Sequence, residues 1–141
     1  MKVSDMMSRD VQIARPQDSI QSVAQRMREI DAGSMPVCDG DRVHGMVTDR
    51  DIAIRAVAEG RSFESPVSDI MTAEVECVFD DDDADEAAGR MASAQIRRLP
   101  VLNRETNRLV GILALGDIAG RVKDSTAGQT LEEISEQSRP I

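Results

Sequence analysis

Two stretches of the sequence end an apolar run with hydrogen-bonding side chains at the same spacing. GMVTDRDI carries Thr48 and Asp51, and GILALGDI carries Asp117, with Ala114 at the threonine position. A hydroxyl and a carboxylate at a strand-to-helix junction can cap the helix. The exposed amides of the helix start and the threonine hydroxyl can also donate hydrogen bonds to a phosphate. Helix capping is therefore open for both Thr48 and Asp51, and a phosphate contact is open for Thr48.

These stretches belong to a repeat that covers most of the chain. With a shift of 64 residues, VSDMMS at 3–8 matches VSDIMT at 67–72, and MPV matches LPV. The shift becomes 66 after the segment NRETNRL, so that Gly45 matches Gly111. The two additional residues fall where a loop is expected, and loops tolerate insertions.

The repeat predicts the organisation of the chain. We expect a first repeat at 1–60, a linker at 61–66 and a second repeat at 67–123. A tail at 124–141 follows, and its apolar residues have the spacing of a short helix. A unit of about 60 residues buries too little surface to be robust alone. The two repeats are therefore predicted to pack sheet to sheet with approximate two-fold symmetry, in an α+β or α/β fold.

Hydrophobic periodicity predicts the element order β-α-β-β-α in each repeat. In the first repeat, a strand at 11–14 precedes a helix that starts near Asp18 and ends at Gly33. A hairpin follows that turns at Asp39-Gly40-Asp41, and a last helix starts at Thr48 or Asp49 and stops at Gly60. The second repeat is predicted to have strands near 75–79, 98–103 and 108–114 and helices near 83–95 and 116–123.

Composition excludes several classes of protein. The 141 residues are 40% hydrophobic and carry a formal net charge of −9. Nucleic acid is not expected as a partner, because neutralising phosphates requires a basic face. The apolar runs are too short to span a membrane, and the N-terminal residues lack the apolar core of a signal peptide. We therefore expect a cytoplasmic protein without a membrane partner, in which Cys38 and Cys77 are thiols.

Catalytic and metal chemistry finds little support in the residues. No nucleophile elbow, P-loop or H-E-x-x-H motif is present, so no enzyme and no catalytic residue are predicted. His44 is the single histidine, and Cys38 lies across the hairpin from it, but two ligands rarely make a zinc site. The acidic run at 80–86 is expected to stabilise a helix N-terminus. A divalent cation bridging these acids to a nucleotide is the alternative.

The strings MPVCDGDRVHGMVTDRDI and LPVLNRETNRLVGILALGDI resemble the paired cystathionine-β-synthase (CBS) domain, also called the Bateman module. The resemblance covers about residues 3–123. The Pro-Val strand, the hairpin, the junction motif and the tandem copy are specific only in combination. Small stand-alone bacterial proteins of the hypoxic response protein type are the most similar in organisation.

The resemblance implies an adenosyl ligand, such as AMP, ADP, ATP or S-adenosylmethionine, in two clefts between the repeats. Asp51 and Asp117 would accept hydrogen bonds from the ribose hydroxyls, and a carboxylate suits a vicinal diol because its two oxygens can each accept one. Thr48 would contact phosphate, whereas Ala114 fails to match. The first site is therefore predicted to hold phosphate better than the second.

The resemblance also places further residues around the ligand. The base pocket would be lined by residues at the start of the first strand and before the Pro-Val strand of each repeat, namely Ser8, Val11, Met35, Thr72, Val75 and Leu99. Arginines could supply charge to a polyphosphate, namely Arg50, Arg55, Arg98 and Arg121. Methionines at helical spacing are more often core residues.

The function predicted from these features is that of a regulatory or sensor protein that binds an adenine nucleotide. Signalling would proceed by a bias of conformation or of oligomeric state, which an effector protein of unknown identity reads. The family suggests a homodimer. The alternative is a structural or interaction module without a small-molecule ligand.

Overall fold

The computed structural model describes residues 1–121, and the tail predicted at 124–141 lies outside them. The described chain divides into two compact units, which we name for their place along the sequence. The middle unit is Gln12–Val75. The outer unit combines Met1–Val11 with the described residues from Glu76 onward.

The middle unit is built from helices and one hairpin. Its elements are α1 (Ile20–Ile30), β1 (Ser34–Asp39), β2 (Arg42–Thr48) and α2 (Asp49–Asp51), which continues as a π-helix at Ile52–Val57, and a short 3-10 helix at Val67–Asp69. Helix α1 starts at Ser19, whose hydroxyl accepts the Ser22 N–H at 3.1 Å. The helix ends at Asp31 in the left-handed conformation, with φ of 54°, and not at Gly33 as predicted. Aspartate tolerates this conformation better than most residues, so glycine is not required there.

The hairpin of the middle unit forms as predicted. Strands β1 and β2 pair antiparallel with Ser34 opposite Thr48, and Gly40 takes a φ of 63° in the turn. The strand predicted at 11–14 is wrong, because only Ala14 forms a bridge there, parallel to Val37.

The outer unit repeats this arrangement with one additional short strand. Besides a short 3-10 helix at Val3–Asp5, it has five elements: β3 (Val78–Phe79), α3 (Ala84–Ala94), β4 (Arg98–Leu102), β5 (Leu109–Ala114) and α4 (Leu115–Arg121). Strand β4 lies between β3, to which it is parallel, and β5, to which it is antiparallel. All five elements match predicted ones within a few residues, which confirms the mixed helix and sheet content.

The motif that opens each repeat packs against the other repeat. We call Met1–Val11 the outer strap and residues 66–75 the middle strap. In the outer strap, Ser8 pairs with Ile112 of β5, while in the middle strap Thr72 pairs with Met46 of β2. The ranges of the two packed units therefore differ from the repeat ranges 1–60 and 67–123, which stay predictions about the sequence.

Each unit has its own hydrophobic core. The core of the middle unit is formed by Ala14, Ile20, Val23, Met27, Met35, Val37, Val47, Ala56, Val67 and Ile70. The core of the outer unit is formed by Val3, Met6, Val78, Ala84, Ala87, Ala88, Met91, Leu99, Val101, Leu113, Leu115 and Ile118. Each strap contributes two of these side chains, so the straps are integral parts of the cores.

The acidic run is held by helix capping and by an arginine. Asp83 caps α3 by accepting the Glu86 N–H at 3.2 Å, which supports the predicted role at a helix N-terminus. Arg104 donates from Nε to both carboxylate oxygens of Asp81, at 2.9 and 3.0 Å, and from a terminal nitrogen to Asp82 at 2.7 Å. This hydrogen bonding by the guanidinium lowers the pKa of Asp81. Arg104 also lies 4.3 Å above the Phe79 ring. Because Arg104 belongs to the β4–β5 turn, its hydrogen bonds to Asp81 and Asp82 connect that turn to the acidic run.

Within residues 1–121, no helix combines the length and the apolar composition needed to cross a bilayer.

Candidate functional site

Thr48 and Asp51 hold each other at the junction of β2 and α2. The Thr48 hydroxyl accepts the Asp51 N–H at 3.0 Å, and the Asp51 Oδ2 accepts the Thr48 N–H at 3.0 Å. This reciprocal capping box satisfies two amides that a helix start otherwise leaves without partners. Both side chains cap the helix, as one of the two sequence interpretations predicts. The Thr48 hydroxyl proton is not used in this arrangement and can donate to another acceptor.

Asp51 is mostly buried and has one carboxylate oxygen outside the capping box. Its side chain is 13% exposed, and its Oδ1 lies 3.9 Å from Arg55 Nε. A terminal nitrogen of Arg55 also lies 3.5 Å from the Ile70 carbonyl and 3.4 Å from the Met71 carbonyl. Arg55, predicted as a source of charge for a polyphosphate, is therefore placed between Asp51 and the middle strap.

The register of the hairpins reveals a further candidate that the sequence motifs missed. Ser34 lies directly opposite Thr48, and in the outer unit Arg98 lies directly opposite Ala114. Cross-strand neighbours have Cβ atoms about 5 Å apart. The middle unit thus presents two hydroxyl groups where the outer unit presents a guanidinium beside a methyl group. Only the pairing of the strands could have identified Ser34.

The outer unit lacks the threonine cap, as its sequence predicts. Asp117 lies in the first turn of α4 and is half-buried, and Ala114 precedes that helix at the end of β5. Arg98 is exposed at the start of β4. Arg50, the other arginine predicted near a phosphate, is exposed in the first turn of α2.

The strap residues predicted to line the base pocket lie at the ends of the two straps. Ser8 and Thr72 are exposed, and their backbones exchange paired hydrogen bonds of 2.8 to 3.0 Å with the neighbouring strand. Val11 and Val75 are half-buried and are the last residues before the chain passes to the other unit.

Met35 and Leu99, also predicted for the base pocket, are core residues. Their exposed fractions are 0% and 1%, and each belongs to the hydrophobic core of its unit. The structure therefore places both residues in the core, and a contact with a ligand base stays a prediction.

Gly45 and Gly111 allow the straps to approach the hairpins. A Cβ on Gly45 would lie 2.6 Å from the Thr72 carbonyl oxygen. One on Gly111 would lie 2.8 Å from the Ser8 carbonyl oxygen and 2.6 Å from Met7 Sδ. Real Cβ atoms do not approach this closely, so only glycine fits at either position. The repeat revealed that these glycines are equivalent, but their neighbours became evident only from the packing.

The proposed pairing of Cys38 with His44 is not favoured by the hairpin. Cys38 is fully buried, whereas His44 is exposed. Among residues 1–121, no group of three or more histidine, cysteine, aspartate and glutamate side chains is arranged to hold a metal ion. Neither cysteine forms a disulfide, and burial raises the pKa of the half-buried Cys77 thiol.

The candidate residues sort into two sets, one in each unit. The set in the middle unit, which we call the middle site, consists of Ser34, Met35, Thr48, Arg50, Asp51, Thr72 and Val75. The set in the outer unit, which we call the outer site, consists of Ser8, Val11, Arg98, Leu99 and Asp117. The residues of each set thus come from one strap and one hairpin of the same unit, or from the helix start that follows the hairpin.

Known proteins are similar to this chain in sequence. The chain is 39% identical to the CBS domain-containing protein YhcV of Bacillus subtilis, over 96% of both chains. It is 33% identical to hypoxic response protein 1 of Mycobacterium tuberculosis, over 92% of this chain and 91% of that protein.

Solved structures are similar as well. A crystal structure of hypoxic response protein I with two coordinated zinc ions superimposes with a TM-score of 0.78 at 35% identity, covering 86% of this chain and 99% of that one. A CBS domain pair in complex with 5′-methylthioadenosine and S-adenosyl-L-methionine has a TM-score of 0.75 at 27% identity, covering 85% and 94%.

The sequence model of the CBS domain matches twice, at residues 3–57 and 67–124. These two matches cover most of the chain and coincide with the two copies of the repeat. The chain therefore belongs to the CBS domain family and carries a pair of CBS domains.

Proposed function

We propose that this chain is a cytoplasmic regulatory protein that binds an adenine nucleotide, AMP, ADP or ATP, at the middle site and the outer site. The observation that carries the proposal is the geometry of Thr48 and Asp51. The capping box fixes both side chains, yet it leaves the Thr48 hydroxyl proton for a phosphate and the Asp51 Oδ1 for ribose hydroxyls. The adenosyl ligands of a related CBS pair support the ligand class.

The two sites would recognise phosphate differently. In the middle site, the Ser34 and Thr48 hydroxyls would donate neutral hydrogen bonds. In the outer site, Arg98 would supply a charged donor in place of the missing threonine. The proposed middle site is therefore hydroxyl-based, whereas the outer site depends on one exposed guanidinium.

Regulation requires that the nucleotide bind two states with different affinity, because equal affinity shifts no equilibrium. We propose a homodimer whose conformation an effector protein reads.

A ligand-free interaction module remains the second candidate. The exposed side chains of Ile54 and Val57 on the π-helix, at 47% and 73%, favour a protein contact at that surface.

A thermal melting series tests the ligand class. At 100 times its dissociation constant, a nucleotide that binds only the folded protein should add about 2.7 kcal/mol to the free energy of unfolding. AMP, ADP, ATP and S-adenosylmethionine would be compared with inorganic phosphate as a control. If none of the four shifts the melting temperature, nucleotide binding is rejected and the interaction module is favoured.

Substituting the two aspartates should reveal the asymmetry between the sites. Asp51→Ala is expected to weaken nucleotide binding at the middle site by roughly 10- to 100-fold, since hydrogen bonds to a charged group contribute about 1.5–3 kcal/mol. Asp117→Ala should have a smaller effect, because the outer site lacks the threonine donor. Isothermal titration calorimetry with AMP measures both variants. Equal losses would mean that the phosphate donors have been misassigned.

Thr48 gives a sharper test of the phosphate contact. Thr48→Ala should lower AMP affinity about tenfold through the lost hydroxyl donor, while Thr48→Ser should retain it. Thr48→Ala also removes a helix cap, which lowers the free energy of unfolding of the protein by about 1 kcal/mol. This loss does not depend on which ligand is added. Adenosine, which lacks the phosphate, is therefore the control ligand. A Thr48→Ala variant that loses adenosine and AMP affinity equally would exclude a phosphate role for Thr48.

A further inference from the structure

The two straps connect the proposed sites to distant parts of their own units. Thr72 and Val75 belong both to the middle site and to the middle strap, and Ser8 and Val11 belong both to the outer site and to the outer strap. A ligand that contacts these residues therefore contacts the strap that packs closely against Gly45 or Gly111 of the hairpin.

Arg55 provides a second link in the middle unit. Its guanidinium lies 3.9 Å from the Asp51 carboxylate and within 3.5 Å of the strap carbonyls of Ile70 and Met71. Both distances are longer than those of optimal hydrogen bonds. A ligand that engages Asp51 thus changes the charge environment of a side chain that also faces the strap.

The far end of each strap is fastened away from the proposed ligand. In the middle strap, the Val67 N–H donates to the Asp18 carbonyl at 2.7 Å and the Ser68 N–H donates to the Pro16 carbonyl at 3.0 Å. Val67 is fully buried in the core. These amides exchange with solvent when the far end of the strap leaves the unit or when the whole unit unfolds.

The outer strap is fastened in an equivalent way. The Val3 N–H donates to the Asp82 carbonyl at 2.9 Å, and the Ser4 N–H donates to the Asp80 carbonyl at 2.9 Å. Val3 is fully buried. Along the chain, this strap is separated from the rest of its unit by the whole of Gln12–Val75. Its attachment therefore depends on non-local contacts, which carry a cost in chain entropy.

We infer that each strap is a releasable element whose attachment is coupled to nucleotide occupancy of the site in the same unit. The inference rests on the proposed function and adds its regulatory output: a strap that is held when the site is filled and released more often when it is empty. Release exposes the strap and the hairpin edge that it covers, which is the change that an effector protein could read.

Hydrogen exchange with AMP tests the coupling in the full chain. AMP at 100 times the dissociation constant measured by calorimetry should slow exchange at the far amides of a strap about 100-fold, if the released state does not bind it. Asp51→Asn and Asp117→Asn assign the effect, because each keeps a polar side chain of the same size. In Asp117→Asn the slowing should stay near 100-fold at Val67 and Ser68 but fall about tenfold or more at Val3 and Ser4, and in Asp51→Asn the reverse should hold, because a site weakened 10- to 100-fold is only partly filled at this AMP concentration.

The outcomes separate the two proposals. Calorimetric binding with unchanged exchange at Val67, Ser68, Val3 and Ser4 rejects the strap coupling and leaves nucleotide binding intact. Equal slowing in both units of both variants, or equal slowing at Val67 and at the Cys38 amide of the same unit, which donates to the Ala14 carbonyl, shows general stabilisation and also rejects the coupling. Absence of calorimetric binding rejects the proposed function, and the strap coupling with it.

Discussion

Replacing Gly111 with alanine should lower the free energy of unfolding by about 3 kcal/mol, at the upper end of the cost of overpacking. The added methyl group would lie 2.6 Å from Met7 Sδ and 2.8 Å from the Ser8 carbonyl oxygen. The thioether can move, but the carbonyl belongs to the strap backbone that pairs with Ile112. The outer strap must therefore shift, which disturbs the burial of Val3 and Met6. Urea unfolding followed by circular dichroism measures the loss.

Gly89→Ala is the matched control for this substitution. Gly89 lies inside α3 of the same unit, and an added Cβ would meet no atom within 4 Å. Alanine is favoured over glycine inside a helix by about 1 kcal/mol, so this variant should be stabilised. If Gly111→Ala unfolds at the same urea concentration as the unmodified protein, the close approach of strap and hairpin is wrong. Gly45→Ala should repeat the effect in the middle unit.

A fragment spanning residues 12–75 should fold better than one spanning residues 1–60. The first fragment contains every residue of the middle core, whereas the second lacks Val67 and Ile70 and carries Val3 and Met6 without their partners. Burying Val67 and Ile70 contributes about 1.5–3 kcal/mol each. A domain of this size has a total stability of about 3–10 kcal/mol. The loss is therefore comparable with the whole stability of the unit.

Thermal unfolding of the two fragments, followed by circular dichroism, provides the measurement. A cooperative transition is expected for residues 12–75 and a broad, weak one for residues 1–60. A fragment of residues 12–66 serves as the control, because it lacks the same two core side chains without carrying the outer strap. A cooperative transition in residues 1–60 equal to that in residues 12–75 would show that the middle strap is dispensable.

The helices and hairpins of this chain were predictable from sequence because their signals are local. The periodicity of Ile20, Val23 and Met27 defines α1, and the turn chemistry around Gly40 defines the hairpin. The strand predicted at 11–14 failed for the opposite reason. The apolar pattern correctly indicated that Ala14 is buried. The backbone of residues 11–14, however, pairs with β1 at a single position, Ala14 with Val37.

Part of the candidate site was equally local. Thr48 and Asp51 were recognisable because a capping box has a fixed spacing. The pairing of Ser34 with Thr48 and of Arg98 with Ala114 depends on the hairpin register, which the motif did not specify. The position of the straps depends on contacts between residues far apart in sequence. In the sequence, VSDMMS and VSDIMT begin the first and the second repeat, whereas in the structure each packs with the hairpin of the other repeat.

The passage of the chain from the outer unit to the middle unit and back has a consequence for biosynthesis. The ribosome releases Val3 and Met6 long before β5 and α4 exist, so these apolar side chains emerge without the core that will cover them. The middle unit is complete once residue 75 has left the exit tunnel, and it can fold while the outer unit is still being translated. Nascent chains arrested before β5 should therefore present the outer strap to chaperones, whereas those arrested after α4 should conceal it.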